Sequence, residues 1–314
     1  MGISQYIKEI GRGKQGARPL GRAQAADLFG QVLDGTVTDL EVGAFCLAMR
    51  IKGETPEEMA GFLDATYARL NLVPAGEKPL VVLPSYNGAR KLPVLTPLLA
   101  LLVARSGLPV LIHGTATESS RVFVEHVLKE LGIHALPAIR AVAPGEAVYA
   151  PTELLCPGLK RLLDVRKAVG LRNSSHSLVK LMNPSARAAV IVSSYTHPEY
   201  AVSMAAVFEL MGSTALLLRG TEGEVVADAR RLPQMDGFIR GQRIALEAGR
   251  KGTLTDLPDL PREIDAESTA AYIHEVLQGA KPIPASMSLQ LEHILHLAAS
   301  YDTQKMETSC PPEK

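Results

Sequence analysis

Six cations, Lys160, Arg161, Arg166, Lys167, Arg172 and Lys180, fall within 21 residues and share that stretch with a single acid, Asp164. Cations at this density on an otherwise neutral chain suit phosphate groups, because each neutralises one negative charge and releases its counterion. The competing reading is a solvated helix face, with Leu159, Leu162, Leu163, Val165 and Val169 as its buried side. Arg90 and Lys91 are placed to face the same cleft. A second basic run, KEIGRGKQGAR at 8–18, contributes Lys8, Arg12, Lys14 and Arg18. It contains GRGKQG, formally G-x-G-x-x-G, but follows a helical pattern and has no acid placed for a ribose. It reads as a basic loop, not as a dinucleotide fingerprint.

The stretch LPSYNGAR at 83–90 follows the apolar run PLVVL and leads towards a helix. A strand that empties into a glycine turn before a helix is where α/β enzymes present bare backbone N–H groups to phosphate. Here Pro84 has no N–H to offer, and Leu83 and Tyr86 are expected to fill the space of phosphate oxygens. His113 is read as a structural histidine at a strand end ahead of a catalytic base. Thr115, Thr117, Ser119 and Ser120 are expected to cap the next helix. SSYTHP at 193–198 brings serine and histidine close, without an acid to orient the base.

These residues need a scaffold, and the chain is long enough to build one. Its 314 residues suggest two domains, or one large α/β domain with an appendage. Formal net charge is zero, so a polyanion-binding surface must come from clustering. Cys46, Cys156 and Cys310 follow no metal-ligand spacing, and so sparse a count favours a reducing compartment. The N-terminus has no long apolar core of a secretory signal, and LLALLVA at 98–104 is too short to span a bilayer. A cytoplasmic protein with no membrane partner is expected.

Residues 1–72 read as helices, with capping boxes TDLE at 38–41 and TPEE at 55–58. From 79 onward strands and helices alternate: strands at 79–83, 109–114, 188–193 and 215–219, helices at 96–105, 121–131 and 198–211. The last two helices are placed at 265–278 and 286–300. Alternation of this kind predicts an α/β fold, a mainly parallel central sheet flanked by helices, beside a small all-helical domain. The expected division is 1–72 for the helical domain, 73–163 and 188–301 for the α/β domain, and a disordered tail at 302–314.

An all-helical start, a parallel α/β domain, VRKAVGLR at 165–172 and Asn183-Pro184 together resemble anthranilate phosphoribosyltransferase and its nucleoside phosphorylase cousins. The resemblance covers roughly residues 3–300 and implies a helical return near 164–187 that joins the small domain. It also implies a homodimer formed through the helical domain. Those enzymes hold phosphoribosyl pyrophosphate in a G-T-G-G-D-G turn, aligned here with LPSYNG at 83–88. Asn87, Gly88, Thr96, His113, Gly114 and Thr115 fall on positions of that cleft and read as its vestige. The family's paired magnesium acids fall on Val225 and Val226, with Glu222 and Glu224 nearby, though a strand would alternate their direction relative to those lost positions. Its final Gly-Pro falls on Val179 and Lys180.

The strings IGRGK at 10–14, PSYNGAR at 84–90, NSSH at 173–176, HPEY at 197–200 and GTEGEV at 220–225 resemble a divergent branch of that family, the YbiB-type proteins. That resemblance implies a homodimer that binds DNA and RNA with little sequence preference and has lost phosphoribosyl transfer. The expectation is therefore a nucleic-acid-binding protein whose contacts are Lys160, Arg161, Arg166, Lys167, Arg172, Lys180, Arg90 and Lys91. It assigns no catalytic residue, no metal and no cofactor. Tyr86, Tyr195 and His176 are the few candidates for base stacking, so phosphate contacts carry the binding. The alternative is an active glycosyl- or phosphoribosyltransferase with an altered substrate, smaller or magnesium-independent.

Overall fold

The computed structural model describes residues 2–13, 15–118 and 120–307. Lys14, Ser119 and Cys310, weighed above, lie outside the described residues, as does the end of the chain from 308. Four helices open the chain: α1 (Ser4–Ile10), α2 (Arg22–Asp34), α3 (Asp39–Lys52) and α4 (Pro56–Tyr67). Both capping boxes form as the sequence predicts. The Thr38 and Thr55 side chains accept from the N–H groups of Glu41 and Glu58, three residues on. Glu58 is fully buried and does more than cap: it accepts from the Leu20 N–H and pairs with Lys52 at 2.6 Å. Phe29 and Phe62 stack at the centre of this bundle and Phe45 meets both edge-on, with ring centroids 4.6–6.2 Å apart.

The α/β part follows in chain order. It starts with β1 (Leu80–Ser85), α5 (Thr96–Arg105), β2 (Val110–Gly114), α6 (Val124–Glu130) and β3 (Ala147–Pro151). Three helices come next, α7 (Thr152–Leu155), α8 (Pro157–Val169) and α9 (Ser175–Leu178), then β4 (Ala189–Tyr195), α10 (Pro198–Leu210) and β5 (Thr214–Arg219). An antiparallel hairpin, β6 (Met235–Ile239) and β7 (Gln242–Glu247), precedes α11 (Ala266–Leu277) and α12 (Ala285–Glu307). The seven strands lie in the order β3-β2-β1-β4-β5-β6-β7, parallel from β3 to β5. The inner strands β1, β2 and β5 are apolar runs buried on both faces, which is what helices on both sides of a parallel sheet require.

Strand β3 and the β6–β7 hairpin were not expected from the sequence. Helix α6 begins at Val124 behind Phe123, so the threonines and Ser120 ahead of it do not cap it. Helix α12 runs to Glu307, so the segment 302–307 is helical where a disordered tail was expected. The helical return starts at Pro157, earlier than 164, and α8 packs on α2. No helix among the described residues is long and apolar enough to cross a membrane.

Candidate functional site

Strand order reverses between β1 and β4: from β1 the chain builds outward through β2 and β3, then returns to lay β4 on the other side. Open α/β sheets bind ligands at such a switch point, beyond the carboxyl ends of the strands. A cleft of about 450 Å³ opens there, between the sheet and the helical bundle. This is within the usual range for small-molecule sites. The end of α3 supplies Arg50, the turn behind it Glu54, and the segment around α9 supplies Arg172, Asn173, His176 and Lys180. The turn after β4 supplies Tyr195, Thr196 and His197, with Asn87 at the back.

The cleft is cationic at its centre. Among the described residues the Arg172 guanidinium makes no ion pair and no hydrogen bond. Burial, together with the neighbouring Arg166 and Arg121 cations, holds its pKa below the usual arginine range. Arg166 is only partly neutralised, by Glu118 at 3.0 Å, and its Nη1 is buried without a partner. His176 turns Nδ1 towards the Asn173 backbone at 3.3 Å and leaves Nε2 unpartnered. Burial and the Arg172 and Arg166 charges push its pKa down to about 3, so the ring is neutral at physiological pH. Lys180 is buried in the floor and donates to the Gly223 carbonyl at 2.6 Å and to Ser194 Oγ at 3.3 Å. Burial brings it down to about 8, against the pull of Glu224, which favours its charged form.

Behind the cleft the turn after β1 is organised by two glutamates. Glu224 Oε1 accepts the N–H groups of Asn87 and Gly88, each at 2.8 Å. Its Oε2 accepts the hydroxyls of Ser85 at 2.5 Å and Thr96 at 3.1 Å. Glu222 Oε2 accepts three successive N–H groups, those of Arg90, Lys91 and Leu92, at 2.9–3.1 Å. The segment is not a strand. Residues 221–223 form a 3-10 turn with Glu222 at φ 52°, and both side chains reach the same loop.

Several expectations need correcting at this point. What occupies the turn is the Glu224 carboxylate, not Leu83 and Tyr86: Leu83 lies within β1, and Tyr86 is buried with its hydroxyl on His113 Nδ1 and Thr152. Asn87, Gly88 and Thr96 do gather, on Glu224. His113 and Gly114 lie in β2, where His113 is fully buried and Gly114 sits against the Ser85 carbonyl. Neither these two nor Thr115 lines the cleft. Tyr86 is too buried to stack on a base. The resemblance implies magnesium on paired acids, but Val225 and Val226 are buried and apolar. Both oxygens of Glu224 and Oε2 of Glu222 are taken by N–H and O–H donors, so the residues present do not fit that ion. Among the described residues no group of three or more His, Cys, Asp or Glu is placed to hold a metal.

The cation cluster disperses in three dimensions. Lys160 and Lys167 both pair with Asp164, at 2.5 and 2.9 Å, and Arg161 donates to the Leu33 carbonyl. Arg166 turns to Glu118, Lys180 is buried, and Arg90 and Lys91 stand exposed on the turn after β1. Of the eight expected nucleic-acid contacts only Arg172 and Lys180 line the cleft. Sequence reasoning missed Arg50 and the part played by Glu222 and Glu224, whose only sequence signal is the density of acids in GTEGE.

Comparison with known proteins agrees with this placement. Residues 4–69 match the family described as glycosyl transferase family, helical bundle domain. The chain is 42% identical over 299 residues to the protein YbiB of Escherichia coli (strain K12), covering 93% of this chain and 92% of that one. It is 30% identical over 278 residues to anthranilate phosphoribosyltransferase 2 of Ralstonia nicotianae, covering 86% of this chain and 80% of that one. The chain belongs to the anthranilate phosphoribosyltransferase family. Its fold is shared with anthranilate phosphoribosyltransferase from Thermus thermophilus, at a TM-score of 0.74 and 22% identity over 94% of this chain and 89% of that one. The enzyme from Saccharomyces cerevisiae, solved in complex with PRPP and Mg, gives 0.68 and 15% over 95% and 89%.

These relatives overturn the nucleic-acid-binding expectation: those named for an activity are phosphoribosyltransferases, and none is named as a nucleic-acid binder. The physical reason agrees. Five of the six clustered cations are engaged with an acid or a carbonyl of the same chain, so the run in sequence does not become a continuous basic surface.

Proposed function

We propose that this chain is a glycosyl-group transferase of the phosphoribosyltransferase class, acting on an anionic substrate in the cleft between the helical bundle and the sheet. The observation that carries this reading is the unpaired Arg172 guanidinium beside Arg50 and Lys180, at the switch point of the sheet. An anionic acceptor seated on Arg172 would relieve the repulsion among Arg172, Arg166 and Arg121, and neutral His176 can donate or accept one hydrogen bond beside it. In the transfer, the bond from the anomeric carbon to a phosphate oxygen breaks and the departing phosphate keeps the electron pair. The carbon then bonds to the acceptor nitrogen, whose proton passes to the phosphate or to water. With Glu222 and Glu224 on the turn's N–H groups, the donor phosphate is expected to be held by the cleft's cations and not by that turn.

The test is turnover. Phosphoribosyl pyrophosphate and ribose 1-phosphate are each incubated with anthranilate and with other aromatic amino acids and bases, with and without magnesium. Released phosphate or pyrophosphate is followed by phosphorus NMR. Consumption of one donor, lowered about a hundredfold or more by Arg172→Ala, is expected for a group that orients substrate. A folded wild-type chain that consumes neither donor with any acceptor would end this reading.

We also propose that the chain pairs with a second copy through the outer face of α3. Leu40, Leu47 and Ile51 stand exposed there on one helical stripe, next to Ile7 of α1. The family resemblance implies a dimer through this same domain.

A further inference from the structure

The N–H groups of the turn after β1 have not been lost. Five of them, from Asn87, Gly88, Arg90, Lys91 and Leu92, converge with the Ser85 and Thr96 hydroxyls on three carboxylate oxygens. We propose that this turn is an intact anion site for phosphate or pyrophosphate that the chain keeps closed with its own side chains. Loop 220–226 acts as a built-in competitor: Glu222 and Glu224 stand where phosphate oxygens would sit, and an external anion binds only when that loop leaves.

Convergent backbone N–H groups in a turn form a concavity of positive potential, and left empty each would be an unsatisfied donor. A carboxylate offers two charged oxygens at hydrogen-bonding spacing, which makes it a stand-in for one edge of a phosphate. Gly88, at φ +63°, lets successive N–H groups point inward. The loop is fitted to this placement. Gly223 has φ +90°, and a Cβ there would lie 2.0 Å from Asn87 Nδ2, so only glycine allows the loop to rest on the turn. Asn87 Nδ2 in turn donates to the Glu222 carbonyl.

The loop is also held from the side of the cleft. Lys180 Nζ and Ser194 Oγ both donate to the Gly223 carbonyl, at 2.6 and 2.8 Å. The loop that closes the anion site is therefore tied to Lys180 and Ser194, which line the cleft, so displacing it would free both side chains there. This inference goes beyond the transfer reading and needs no turnover to be tested. Absence of turnover would leave it standing, and its failure would leave the cleft reading standing.

The experiment uses the full chain and pyrophosphate, with and without magnesium, read by calorimetry and by the rise of Tm with pyrophosphate concentration. Wild type is compared with Glu222→Ala and with the double variant E222A/E224A. Affinity for pyrophosphate is expected to rise about tenfold or more in the double variant, the equivalent of about 1.4 kcal/mol. A smaller but clear rise is expected in Glu222→Ala, which frees three N–H groups and leaves the buried Glu224 in place. If the double variant does not fold, Glu222→Ala decides alone, because Glu222 is half-exposed and its removal opens the Arg90 and Lys91 amides to water. Folded variants whose affinity equals that of wild type would overturn the proposal. So would a wild type that already binds pyrophosphate as tightly as the variants.

Discussion

Single residues set the pH response of this protein. His113 and His176 are each held near about 3, chiefly by burial, whereas an unfolded chain takes up those protons near 6.5. Below pH 6.5 the unfolded state therefore binds more protons, and stability falls as pH drops towards 3. Each histidine contributes about 1.4 kcal/mol per pH unit within that window. Between pH 6 and 5, above the range of ordinary carboxylates, His176→Gln should reduce the slope of urea-unfolding stability against pH by about that amount. Lys180 acts at the other end. Its pKa of about 8 lies below the unfolded value of 10.5, so stability rises from pH 8 upward as the folded state sheds a proton that the unfolded chain keeps. A Lys180→Met chain should lose that rise between pH 8 and 9.5. A profile as steep as the wild type's would show that the lysine is not buried as described.

At the scale of elements, the decisive pairing joins β1's turn to a loop more than 130 residues later. Removing Glu224 leaves two N–H groups and two hydroxyls without their acceptor, and Glu224→Ala is expected to lower unfolding free energy by about 3 kcal/mol or more. Glu222→Ala should cost about 1 kcal/mol, because water replaces its half-exposed carboxylate. Equal costs in urea denaturation would refute the difference in burial. Nothing local in the sequence announces this pairing, since Glu222 and Glu224 read as ordinary loop acids until the chain is folded. Helices were more legible, because Thr38 with Glu41 and Thr55 with Glu58 declare their own starts, and the apolar runs at 79–83 and 109–114 are buried strands. The β6–β7 hairpin was hidden by its turn, where Arg240 adopts φ 51° next to Gly241 and no Asn-Gly or Asp-Gly marks the reversal. The run at 160–180 misled for a related reason: charge density along a chain does not reveal where each partner lies, and Asp164, Glu118 and two backbone carbonyls take most of it.

For the whole molecule, the bundle and the sheet share one cleft, and the outer face of α3 remains free to bind a partner. Exchange of Leu47 and Ile51 for glutamate (L47E/I51E) should convert the proposed dimer to a monomer in sedimentation while the far-ultraviolet spectrum stays unchanged. An unaltered dimer would place the contact elsewhere. The cleft lies on the sheet side of the bundle, so its residues are not consumed by this pairing.

The placement of Glu224 also bears on how this chain can change. Substitutions at 222 and 224 and substitutions at 225 and 226 cannot act independently. Acids introduced at Val225 or Val226 would enter a buried apolar site beside a turn already satisfied by carboxylates. Opening the turn alone would leave a vacancy with no acid pair beside it. Neighbouring changes of this kind are non-additive, so building an acid pair for a metal at 225 and 226 would need several coordinated substitutions. The two glutamates thus tie four neighbouring positions, 222, 224, 225 and 226, into one unit that can change only together.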